Sequence, residues 1–154
     1  MKSLNGKIAA QNRFVSKVTN KCLPFFCTLR KLFEWTDECQ MAFDNLKIYL
    51  SSPPLLSSSK PGEKLYLYLA VSQAAVSVAL VREEDGSQRP VYFTSRALQG
   101  AEERYPQMEK LAFELITAMR KLKPYFQAYT IVVLTDKPLR KAMSSPEAAG
   151  RMAL

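Results

Sequence analysis

The sequence predicts an α/β protein in which a mixed sheet, built in the order β-β-β-α-β-α, follows a helical arm. Three observations carry that prediction. From Leu65 onward, apolar residues alternate with a period of two through strand-like runs. Between Ala101 and Lys123 the period changes to three and four. A last apolar run, YTIVVLTD (129–136), then returns as a strand after that helix.

The elements follow in order. Leu4, Ile8, Phe14, Val15 and Val18 fit a helical stripe whose other face is basic, and Pro24 breaks or restarts it. A second helix is expected after Thr36, a good N-cap, with Asp37 and Glu38 in its first turn and Met41, Ala42, Leu46 and Leu50 at helical spacing. SSPPLLSSSKPG (51–62) is too rich in serine, proline and glycine to continue it and reads as a linker. Leu65, Leu67, Leu69 and Val71 alternate with Tyr66, Tyr68 and Ala70, which reads as a strand covered on both faces. AVSVALVRE (75–83) is the second strand, Asp85-Gly86 the hairpin turn, and PVYF (90–93) the start of the third. A single long helix is expected from about Ala101 to Lys123, with Pro124 marking its end. After the fourth strand, Pro138 opens another helix. The expected domains are a basic helical arm (1–32), a helix with a Pro/Ser-rich linker (33–62), and a sheet domain (63–154) cut short at its C-terminal end. Three hairpin-linked strands, a covering helix and a strand returning beside the first give a mixed sheet.

Composition narrows the chemistry. The 154 residues hold no histidine, which removes Ser-His-Asp triads, Cys-His dyads and every His-containing zinc site. Cys22, Cys27 and Cys39 are an odd number, too few for a four-ligand zinc site, and read as reduced, mostly buried thiols. No apolar run approaches the roughly 20 residues a membrane helix needs, and the start lacks a signal-peptide core. An intracellular location with no membrane partner is therefore expected. The net charge is +8, and residues 1–33 carry seven basic residues with no acidic one. Outside that arm the charges nearly balance. Such a segment either attracts a phosphate backbone, through Lys7, Arg13, Lys17 and Lys21, or is simply a solvated basic face.

Several strings, in order and at consistent spacing, resemble one family. FEWTDECQMAFDNLKIYLSSPPLL (33–56) is similar to the junction between polymerase and ribonuclease H in the Pol polyprotein of gypsy-type (Metaviridae) LTR retrotransposons. KIAAQNRFVSKVTNKCLPFF (7–26) resembles the thumb and connection at the end of that polymerase. LYLYLAVSQAAVSVALVRE, RPVYFTSRALQGAEERYPQMEK and IVVLTDKPL resemble the ribonuclease H-like domain of the same polyproteins, in the form common in plant elements. The resemblance implies a ribonuclease H-like fold, the rest of the Pol polyprotein and an RNA–DNA hybrid as partners, and two divalent metal ions held by about four carboxylates.

Matched position by position, the carboxylates thin out. The family's first-strand TDAS falls on Leu69, Ala70, Val71 and Ser72, so Ala70 stands where the metal-bridging Asp would be. Its helical EKE falls on Glu109, Lys110 and Leu111, so Leu111 stands at the catalytic Glu. Its TDH falls on Thr135, Asp136 and Lys137; Asp136 is kept as a vestige, or serves as a turn or cap before Pro138. One carboxylate cannot hold two dications, since most of each ion's lost hydration goes uncompensated. No site is therefore expected to be catalytically intact, and no cofactor is expected.

Three functions stay open at this stage. The chain is a catalytically degenerate ribonuclease H-like tether that helps position an RNA–DNA hybrid. Alternatively it is an active Mg2+-dependent ribonuclease H using Asp136, Glu114 and Glu109. Alternatively it is a non-functional translated remnant. Polymerase activity is not expected, because the sequence has no Asp-Asp pair.

Overall fold

The computed structural model describes residues 21, 22, 24, 35–52, 55–135 and 137–140. Helix α1 spans Asp37–Ser51, and the Thr36 hydroxyl accepts the Cys39 backbone N–H at 3.3 Å, which supplies the expected N-cap. The sheet strands are β1 (Lys64–Val71), β2 (Ala75–Glu84) and β3 (Ser87–Ala97). A 3-10 turn (Gly100–Arg104) leads into α2 (Gln107–Lys121), then α3 (Lys123–Ala128) and β4 (Thr130–Leu134).

The strand order is β3-β2-β1-β4. β1 pairs antiparallel with β2 and parallel with β4, so the chain does return beside its first strand after crossing over the sheet. The β2–β3 hairpin closes on Glu84 opposite Ser87, leaving Asp85 and Gly86 as a two-residue loop. Both have positive φ, 53° and 73°, which is the type I′ geometry that the Asp-Gly pair predicts.

The core lies between α2 and one sheet face. Leu65 and Leu67 of β1 and Val78 and Leu80 of β2 meet Leu111, Ala112, Leu115 and Ala118 of α2, with Leu122 and Leu139 closing its edge. This is the three-and-four stripe of α2 laid on the period-two stripe of β1.

Three expectations are corrected. The helix expected from Ala101 to Lys123 is two pieces, because Pro106 has no N–H to donate and holds Tyr105 extended (φ −63°, ψ 143°). Pro124 does not end the helical run either. It sits in the first turn of α3, where a missing N–H costs nothing. The two-sided cover expected for β1 is also incomplete: Leu65 and Leu67 are fully buried while Tyr68 is 36% exposed. Its hydroxyl accepts a hydrogen bond from Gln88 Nε2 at 2.6 Å, so the tyrosine keeps a wet end.

Candidate functional site

The crossover places the C-terminal ends of β1 and β4 side by side, with the first turns of α2 beside them. In an open sheet this switch point is where ligands are usually held. A cavity of about 390 Å³ at this end of β1 is lined by Val71, Ser72, Gln73, Gln107 and Lys110. Lys110 is 7% exposed, and its ammonium donates to the Gln73 carbonyl at 3.2 Å. The buried charge bordering this cavity is thus a cation. A second cavity, of about 430 Å³, lies past the end of β4 between Leu115, Val133, Thr135 and Lys137–Arg140.

Each predicted position can be placed. Ala70 lies near the end of β1, opposite Ser77 of β2, and strand alternation puts it on the Tyr68 side. Leu111 is 3% exposed and packs in the core with Leu65, Leu67 and Leu115. The two positions are therefore not gathered around one polar pocket. Asp136, like Lys7, Arg13, Lys17 and Cys27, lies outside the described residues. Among the described residues, no group of three or more Cys, Asp or Glu side chains could hold a metal ion. Cys22 and Cys39 are buried thiols outside any disulfide, as the composition suggested, and burial pushes the Cys22 thiol up to about 11. Lys21 is half-buried, with its ammonium 3.3 Å from the centre of the Tyr49 ring, and desolvation lowers its pKa.

Glu114, the candidate displaced ligand, points elsewhere. It is 2% exposed and faces Arg96 of β3, with 3.7 Å between Glu114 Oε2 and Arg96 Nε. β3 is the edge strand farthest from β4. Burial raises the Glu114 carboxyl to about 7; Arg96 and Lys121 oppose that shift and Glu102 adds to it. Arg96 also donates from Nη1 to Glu102 Oε2 at 2.7 Å, and its guanidinium lies 4.6 Å from the centre of the Phe113 ring. Sequence reasoning missed this cluster. Its only trace was an acidic residue on the apolar stripe of α2.

Residues 35–133 match the family described as the RNase H-like domain found in reverse transcriptase. The chain belongs to this family. It is 30% identical over 132 residues to the retrovirus-related Pol polyprotein from transposon 412 of Drosophila melanogaster, a match covering 85% of this chain and 10% of the relative. It is 31% identical over 106 residues to the Pol polyprotein from transposon opus of the same fly, covering 68% of this chain and 11% of the relative. The chain thus spans about a tenth of the curated relatives it matches. Among solved structures it is similar to the foamy viral protease–reverse transcriptase in complex with dsDNA, with a TM-score of 0.75 and 18% identity over 94% of this chain and 31% of that one. The same viral protein in complex with RNA/DNA hybrid gives a TM-score of 0.66 at 17% identity, over 98% of this chain and 22% of that one. At such identities these two likenesses concern the fold. Among the described residues no helix is long and apolar enough to cross a membrane.

Proposed function

We propose that this domain has lost metal-dependent hydrolysis and acts as a structural tether within a gypsy-type Pol polyprotein, helping to position an RNA–DNA hybrid. The observation that carries this reading is Leu111. The helix position that would supply a carboxylate is instead a buried core leucine on the β1 side of α2. An ionised group there would face apolar neighbours rather than two dications. Ala70 removes the bridging oxygen, and Lys110 places a buried ammonium beside the end of β1. The active-enzyme alternative needs Glu114 as a ligand, but that carboxylate faces Arg96 of β3, the strand farthest from β4.

In this reading the fold keeps its packing while the reacting centre is gone. Phosphate contact falls to the basic arm, with Lys7, Arg13, Lys17 and Lys21 releasing counterions as they bind. The comparisons support a nucleic-acid partner in one respect: foamy viral relatives of the fold are described in complex with dsDNA and RNA/DNA hybrid.

Incubation of a labelled RNA–DNA hybrid with the protein in Mg2+ or Mn2+ tests the hydrolysis claim. No cleavage above a protein-free control is expected. Cleavage that Asp136→Asn abolishes would overturn the reading. The positioning claim is tested by hybrid affinity against salt. A drop of about 40- to 150-fold between 50 and 200 mM salt is expected if three or four phosphates are neutralised. Affinity that ignores salt would remove the arm from the interface.

A further inference from the structure

A second ionic cluster sits away from the switch point, between α2, β3 and the 3-10 turn. Arg96 projects from β3 between two carboxylates. Its Nη1 donates to Glu102 Oε2 at 2.7 Å, and that same oxygen accepts the backbone N–H of Gln99 at 3.0 Å. Glu102 thereby ties the start of the turn to the sheet through one shared atom. On its other side Arg96 Nε approaches Glu114 Oε2 only to 3.7 Å, an ion pair without a hydrogen bond. Arg96 Nε, Arg96 Nη2 and Glu114 Oε2 are all buried and have no hydrogen-bond partner. Phe113 holds the guanidinium plane from one side. The charged groups facing Glu114 are Arg96 of β3, Glu102 of the turn and Lys121 of its own helix.

We propose that Arg96 is a shared cation between Glu102 and Glu114, so that protonation of Glu114 sets how firmly the Gly100–Arg104 turn is tied to β3. The geometry is half-satisfied, and the buried atoms left without a partner carry a desolvation cost that closing the bond would relieve. With Glu114 neutral, Arg96 has one anionic partner and the Glu102 bond is at its strongest. With Glu114 ionised, closing the 3.7 Å gap by less than 1 Å would give a charge-assisted Nε–H···Oε2 bond. The guanidinium is then drawn toward α2, and Glu102 and the Gln99 amide loosen together. Lys121 remains available to balance the second carboxylate; it donates to Thr94 Oγ1 beside the cluster. The connection from β3 into α2 thus carries a proton-linked latch, independent of any catalytic role for the domain.

The test follows the Arg96 side-chain Nε–H and the Gln99 backbone N–H by 15N-resolved NMR between pH 5 and 8.5. In the unmodified chain both resonances are expected to shift with one common midpoint, and the Gln99 proton to move upfield as its bond lengthens. In Glu114→Gln both are expected to lose that step. In Glu102→Gln the Arg96 step is expected to persist while the Gln99 step disappears. A wild-type titration in which either resonance lacks the step, or in which the midpoints differ, overturns the proposal, and it does so even if a variant fails to fold.

Discussion

Placing a carboxylate at position 111 is the sharpest perturbation of this site. Leu111→Glu places a carboxyl where a side chain is 3% exposed among Leu65, Leu67 and Leu115. Removing a buried leucine forfeits about 1.5–3 kcal/mol of apolar burial. Burying an unpaired polar group adds about 1–3 kcal/mol more, and its ionised form costs further still. A loss of about 2.5–6 kcal/mol or more at pH 8 is expected, a large share of the roughly 5–15 kcal/mol that holds a domain together. Leu111→Met, nearly volume-conserving, should cost less than about 1.5 kcal/mol and serves as the control. Urea unfolding followed by circular dichroism measures both. The sign with pH is a second check. The new carboxyl would have its folded pKa raised above the unfolded value of about 4.3, so the variant should regain stability relative to wild type as pH falls from 8 toward 5, by up to about 1.4 kcal/mol per unit. A Leu111→Glu chain that unfolds at the wild-type urea concentration, with no such recovery, would show that the position opens to solvent. The argument that packing has displaced metal binding would then collapse.

Other outcomes follow from the same structure. The Glu114 carboxyl, raised from 4.5 to about 7, binds a proton more tightly folded than unfolded, so wild-type stability should fall by up to about 3 kcal/mol between those pH values. Glu114→Gln should flatten that fall in urea titrations at a series of pH values. Glu84 and Glu102 have lowered pKa values, so their contributions are lost only as pH drops below about 4.5 and leave the window clear. Gly86→Ala should cost about 1–2 kcal/mol in thermal unfolding; nothing crowds an added Cβ there, and the whole penalty is the φ of +73°.

The strand meander was legible because each signal is local. Alternation from Leu65 to Val71, a hairpin at Asp85-Gly86 and a helical stripe after it determine element types without reference to distant residues. The crossover helix also made β4 parallel to β1 and β3; its place beside β1 rather than β3 is decided by the packed sheet. Pro106 was a local signal too, outweighed by the apolar stripe running past it, and the helix start moved to Gln107. The exposed side of Tyr68 was not legible, since a Leu–Tyr alternation looks the same whether the tyrosines are covered or half-wet.

For function the division is similar. The identity of each residue at the matched positions, Ala70 and Leu111 above all, is a property of the sequence. Whether Leu111 is a solvent-facing replacement or part of the core depends on where α2 rests on β1, which is a matter of packing between distant segments. The same holds for Glu114. As a letter it is a carboxylate on α2, fit to be a metal ligand. Only the fold brings Arg96 to it from β3, 18 positions earlier in the chain, and buries the carboxylate away from the end of β4. Charge and hydropathy are written along the chain, but burial and the partner of a charge are decided in three dimensions, because desolvation and Coulomb attraction depend on the distances that packing sets.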